Sequence, residues 1–429
     1  MTTLPVPATP ETVFTYAAPT LKFGSGAVDE LAHDLSRYAV RRVLVVTDAG
    51  VAATGSPGRV AEALQGAGLE THVYDEVHVE PTDESVMAAV TAAREAGPFD
   101  AIVAVGGGSA IDTAKGVNLL ITNDGDLWDY LNVPVGKGKA PAKPLLPLVA
   151  VPTTTGTGAE STTNCIMDVL SLHVKTGISH QMLRPVLAVV DPELTRTQPA
   201  GVTACAGLDI LCHALESWTA RPYTSYEKKQ PAHRVPYCGS NPISDQWCQA
   251  SLTMLARSFR TAVHQPDDET ARFEMALAAT MAGMGFGNAG VHIPHANGYP
   301  IAGRVRDFHP ADYPQDEAMV PHGMSVAITA PAAFRFTYDA DPARHIAAAR
   351  MLEPGITADD DRELLPLAVT NILRDVGMPN GVAALGFTDG DIDDLVGGTL
   401  KQQRLLATAP RPVDEAAVAA IFRESMQLW

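Results

Sequence analysis

The sequence predicts an α/β protein in two parts, an N-terminal Rossmann-like parallel-sheet domain over residues 1–198 and an all-α domain over residues 199–429. Three observations carry this. Short β-branched runs alternate with helical stretches through the first half, the pattern of a parallel sheet covered by helices. Those runs are continuously apolar, as strands buried on both faces are. Beyond about residue 200 the texture turns to long Ala/Leu/Met-rich segments with helical periodicity.

Val43–Thr47 reads as the first strand, closed by Asp48, and a helix follows the Gly55–Gly58 break. Thr71–Tyr74 reads as the second strand and Glu84–Ala96 as the next helix. Ala101–Val105 is the third strand and runs directly into Gly106. Pro147–Pro152 and Val186–Val190 are further strands, the latter closed by Asp191-Pro192. Ala204–Ala220, Ser244–His264 and Asp268–Met284 are helical, and Tyr223–Pro242 is a long polar loop between them.

Composition bounds the function. A chain of 429 residues, 46% hydrophobic and 19% charged, suits two globular cores. The formal net charge of −18 argues against a nucleic-acid or anionic-membrane partner, because phosphate contacts need a basic surface. No run of about 18 apolar residues is present to span a bilayer. The five cysteines form no CxxC pair, and MTTLPVPATPETVF has neither a secretory core nor the arginines of a transit peptide. A reducing, cytoplasmic location is the expectation.

Two loops look able to hold phosphate or ribose. In AIVAVGGGSAIDTAK three glycines join a strand to a helix, where backbone amides attract an anion. A tight turn explains them equally well, since the spacing is not that of the GxGxxG fingerprint. VPTTTGTGAE, residues 151–160, follows a second apolar run. In GLDILCHALES, residues 207–217, Asp209 and His213 lie one turn apart on a helix face. Such a carboxylate beside an apolar stripe needs a partner or a metal. Further histidines stand at His292, His295, His309 and His322, and spacing alone does not choose among them.

Taken together, GGGSAIDTAK (106–115), PTTTGTGAE (152–160) with DPEL (191–194), GLDILCHALES, and GMGFGNAGVHIPHANGYP (283–300) with VPHG (320–323) make the chain resemble the iron-containing (group III) alcohol dehydrogenase family over nearly its whole length. VEPTDES (79–85), GKGK (136–139), GSNPISD (239–245) and GFGNAGVH (285–292) resemble its hydroxyacid-oxoacid transhydrogenase branch. The resemblance implies the dehydroquinate synthase-like fold and a metal, Fe(II) or alternatively Zn(II), held by Asp209, His213, His295 and His322. It also implies NAD in the N-terminal domain. Gly107, Gly108 and Ser109 would receive the pyrophosphate with Asp112 nearby, Thr153, Thr154 and Thr157 would line the nicotinamide side, and Lys175 the ribose. Asp48 at a strand end favours NAD over NADP, with helix capping as its other explanation. The position after the first histidine motif that is commonly a second histidine is Tyr299 here, a candidate at the substrate end. The implied reaction passes hydride between 4-hydroxybutyrate and 2-oxoglutarate. Arg221, Lys228, Arg234 and Arg304 are candidates for the substrate carboxylates, and a homodimer or larger assembly is expected.

Overall fold

The computed structural model describes residues 4–172, 174–313 and 315–429. The chain divides into two compact units, Ala18–Gln198, and Pro199–Trp429 with the N-terminal segment that ends at Ala17.

In the first unit, β1 (Thr20–Phe23), β2 (Arg42–Val46), β3 (Glu70–Tyr74), β4 (Ala101–Gly106), β5 (Leu148–Pro152) and β8 (Leu187–Val190) form one parallel sheet in the order β1-β8-β5-β4-β2-β3. A strand's side chains alternate between faces, so a strand covered on both sides must be apolar at every position. Here Val43, Val45, Val103, Val105, Val149 and Val151 pack on one face with Val60 and Leu64 of α1 (Ser56–Gly66). Leu44, Val46, Ile102, Ala104, Leu148 and Ala150 face the other way, against α2 (Asp83–Ala96) and α3 (Gly108–Thr122). Each large aliphatic side chain so buried stabilises by roughly 1.5–3 kcal/mol. A separate antiparallel hairpin, β6 (Asn164–Val169) with β7 (Val174–Ser179), completes this unit.

The second unit is helical, and among its described residues no strand is assigned. Its centre is α4 (Ala200–Thr219), buried along most of its length against α5 (Pro242–His264) and α6 (Glu269–Ala289). Asn241 caps α5 through Ser244 N–H (3.0 Å) and Asp268 caps α6 through Ala271 N–H (2.8 Å). Next come α7 (Ile293–Gly303) and α8 (His322–Ala327), both packed on α4. The segment ending at Ala17, assigned from sequence to the sheet domain, packs with the helices instead. Asn288 satisfies both backbone groups of Ala17 at 3.0 Å, and Ala8 N–H donates to Glu227. This proline-rich stretch adds no strand to the sheet, so its backbone groups find partners on the helical unit.

Candidate functional site

Three helices of the second unit deliver a cluster of metal-ligating side chains. Asp209, His213 and Glu216 lie on α4 at spacings of four and three, which places them on one face. His295 comes from the first turn of α7, and His322 opens α8. Gly323 permits that last approach: a methyl group there would strike the Cys205 carbonyl oxygen and lie 3.0 Å from Asp209 Cβ.

Asp209, His295 and His322 each present one donor atom, all within 4.8 Å of one another. Around Asp209 Oδ1 stand His295 Nε2 at 3.5 Å, His213 Nε2 at 3.6 Å and His322 Nε2 at 3.8 Å. These distances are too long for hydrogen bonds. Asp209 Oδ1 and His295 Nε2 are buried with no hydrogen-bond partner, an arrangement costly in an interior unless something completes it. A divalent ion fits: one carboxylate and imidazoles converging on one point are the donors Fe(II) or Zn(II) takes. His213 stands beside Asp209 but outside the tight group of three, its ring stacked on Phe286 at 3.8 Å.

Burial and mutual charge shift Asp209, His213 and His295 strongly. Burial works against ionising Asp209, yet the neighbouring histidines outweigh it and hold the carboxyl well below its usual range. Burial pushes His213 down to about 3 against the pull of Asp209, so this imidazole is neutral at pH 7. Burial would lower His295 as well, but Glu216 and Asp209 raise it to about 9.

Sequence reasoning missed Glu216. It is fully buried, and its Oε1 lies 2.5 Å from His295 Nδ1. Its Oε2 accepts the backbone N–H of His292 (2.5 Å) and, more weakly, of His295 (3.4 Å). Glu216 therefore fixes which nitrogen of His295 carries the proton and turns Nε2 toward Asp209. The signal was present, seven residues after Asp209 on the same face. His292 is a core histidine, with Nε2 on Thr219 Oγ1 at 3.0 Å, and His309 lies beside Asp307. Tyr299, one turn beyond His295, is buried with its ring centre 6.0 Å from that of His322.

In the sheet unit, Asp48, Gly106 and Thr153 stand at the carboxyl ends of the neighbouring strands β2, β4 and β5, the edge where such sheets bind nucleotides. Gly107 caps α3, and Thr154 and Thr157 press on the turn. A side chain on Gly107 would lie 3.1 Å from Thr154 Oγ1, and one on Gly108 2.8 Å from Thr157. The turn is thus a bare backbone cradle at a helix N-terminus, fit for a pyrophosphate. Ser109 Oγ accepts Glu80 N–H at 3.1 Å. Asp48 does cap a helix, accepting Val51 N–H at 2.9 Å, while its other oxygen stays beside Gly106. Asp112 is turned inward: it binds the fully buried Lys115 (3.0 Å) and the Ile166 N–H (2.9 Å), bracing α3 against the hairpin. Lys175, on β7, pairs with Glu80 and, at 3.2 Å, with Asp168.

Residues 18–192 match the family model described as iron-containing alcohol dehydrogenase, and residues 236–426 that of the Fe-containing alcohol dehydrogenase family, C-terminal. The chain is 43% identical to the mitochondrial hydroxyacid-oxoacid transhydrogenase of Xenopus laevis over 99% of its own length and 93% of that protein's. It is similar in structure to a 1,3-propanediol oxidoreductase (TM-score 0.83, 29% identity, 96% and 100% of the two chains). It is also similar to a sulfoacetaldehyde reductase from Bifidobacterium kashiwanohense solved with NAD+ (TM-score 0.79, 26% identity, 96% and 98%). The mitochondrial naming of such relatives overturns the cytoplasmic location read from the cysteines. All five cysteines are free, but thiols persist in any reducing compartment, so they do not separate the two.

Proposed function

The chain belongs to the iron-containing alcohol dehydrogenase family, and from that premise we propose that it carries hydride from 4-hydroxybutyrate to 2-oxoglutarate through NAD, yielding succinate semialdehyde and 2-hydroxyglutarate. The convergence of Asp209, His295 and His322, with His295 braced by Glu216, carries this reading. Similarity to a transhydrogenase over 99% of the chain supports the substrate pair.

Asp209, His213, His295 and His322 would hold the metal, Fe(II) rather than Zn(II). The sheet unit would hold NAD. When bound, the metal supplies a Lewis acid for the hydroxyl or carbonyl oxygen, and NAD the hydride acceptor. The protein's own residues do the rest. Glu216 keeps the Nδ1 proton of His295 in place. The buried rings of Phe286 and Tyr299 shield the polar cluster from water. The amides at the start of α3 neutralise a pyrophosphate, with Thr153, Thr154 and Thr157 alongside, and Lys175 orients the ribose. Asp48 selects NAD by repelling a 2′-phosphate. The working form is a homodimer or larger.

The test is purified, metal-replete protein mixed with 4-hydroxybutyrate and 2-oxoglutarate without added nucleotide, with 2-hydroxyglutarate followed by mass spectrometry. Multiple turnovers are expected, from NAD retained between half-reactions. No product without NAD, but NADH formation from NAD and an alcohol, would make this an ordinary dehydrogenase.

A further inference from the structure

The cations that the sequence suggested for substrate carboxylates are committed elsewhere. Arg221 donates to Ser225 Oγ (2.9 Å) and Ser225 O (2.6 Å). Arg234 pairs with Glu11 at 3.0 Å, Arg304 with Asp394 at 3.2 Å, and Lys228 is exposed. A different cation stands out. Lys115, about two turns along α3 from the glycine turn, is fully buried. Taking an ammonium out of water is costly, and an aliphatic side chain of similar volume would fill the same space without that cost. What the charge adds is direction, because hydrogen bonds hold their partners at fixed distance and angle.

We infer that Lys115 is a positioning residue for the nucleotide, holding the two loops of the cradle in register; this rests on the reading that the sheet unit binds NAD. Around its Nζ stand Ala159 O (2.9 Å), Thr162 Oγ1 (3.0 Å), Asn164 O (2.7 Å) and Asp112 Oδ1 (3.0 Å). Ala159 closes the threonine loop: Thr157 Oγ1 accepts its N–H at 3.3 Å, and Thr157 is the side chain that presses on Gly108. The contacts therefore form a ring. It runs from Gly108 down α3 to Lys115, across to Ala159, and back through Thr157 to the turn. Asn164 opens β6, and the Ile166 N–H of the same strand donates to Asp112 Oδ2 at 2.9 Å. That strand pairs with β7 and sets Lys175 opposite Asp168. One ammonium thus ties together the glycine turn, the threonine loop and the hairpin that carries Lys175. With methionine in its place these segments would still pack, but nothing would fix their spacing. A cradle already shaped before the nucleotide arrives avoids the cost of ordering its loops on binding.

The experiment titrates NAD by calorimetry into nucleotide-stripped, metal-replete wild-type protein, Lys115→Met and Thr162→Val, and measures KM for NAD and kcat with 4-hydroxybutyrate. In Lys115→Met the dissociation constant and KM for NAD should rise roughly 10- to 100-fold, while kcat falls less than about threefold. Co(II) affinity of the donor cluster in the helical unit should stay within about twofold of wild type, which shows that the variant is folded. Thr162→Val removes one acceptor of the ammonium at nearly constant shape and should give a smaller shift in the same direction. It keeps the inference testable where Lys115→Met does not fold. Wild-type protein that binds no NAD overturns the functional reading itself. NAD affinity and KM within about twofold of wild type in the folded variants, with only thermal stability lowered, would make Lys115 a packing residue and overturn its positioning role alone.

Discussion

Replacing Glu216 tests whether the cluster on α4, α7 and α8 is built to hold a metal. In Glu216→Ala three N–H groups, those of the His292 and His295 backbones and of the His295 ring, lose their acceptor in a fully buried place. Each orphaned donor costs about 1–3 kcal/mol, and partial relaxation brings the expected loss of stability to about 3–5 kcal/mol. Glu216→Gln separates metal binding from stability. An amide has one oxygen and one NH2, whereas here both oxygens face donors. If its oxygen takes the backbone N–H groups, the NH2 meets His295 Nδ1 and drives the ring proton to Nε2, the atom aimed at Asp209. Second-layer changes of this kind cost 10- to 100-fold in metal affinity, or about 1.4–2.7 kcal/mol. The assay is competition between the protein and a chelator of known affinity for Co(II), read by the absorption of the bound ion. A folded Glu216→Gln protein that binds Co(II) within twofold of wild type would refute the reasoning.

Three further outcomes follow from particular contacts. Burial holds His292 down at about 4, below its unfolded value, so the unfolded chain takes up a proton between roughly pH 6.5 and pH 4 that the folded protein refuses. Stability from this group is present above that window and is lost as pH falls through it; urea unfolding should show about 2 kcal/mol less stability at pH 5 than at pH 7, and His292→Asn should flatten that slope. Gly323→Ala pushes a methyl group into the Cys205 carbonyl and should cost about 1–3 kcal/mol by thermal unfolding, with a lower bound-metal content by elemental analysis. Asp48→Ser keeps a helix cap but removes the charge, and should move the kcat/KM ratio of NADP to NAD upward by at least about tenfold in steady-state assays.

How far the fold could be read depended on burial. β2, β4, β5 and β8 were legible because both their faces are covered and, apart from Arg42 at the start of β2, every position is apolar. β1 escaped: Thr20–Phe23 is an edge strand, half exposed, with Lys22 in its middle. The β6–β7 hairpin escaped because NCIMDV and VKTGIS mix polar and apolar positions without a period that spacing rules recognise. At the site, Asp209 and His213 stood out because helical spacing is local. Choosing His295 over His292 needed the family resemblance, since two histidines three residues apart on one helix start look alike in sequence. What divides them is a tertiary contact, Thr219 taking the ring of His292.

The cluster's side chains come from three helices far apart in the chain, and that has a consequence for how the protein acquires its ion. In a CxxC-type motif the donors are neighbours before folding begins, and a nascent chain can seize whatever metal is nearest. Here the unfolded chain offers only the local pair Asp209 and His213, because bringing His295 and His322 to them requires long loops to close first. The site is therefore a late product of folding. Selection of the metal falls to a finished protein, whose geometry is already fixed by Glu216 and Gly323, so the ion it carries should reflect what is available where the folded enzyme resides rather than where it is synthesised.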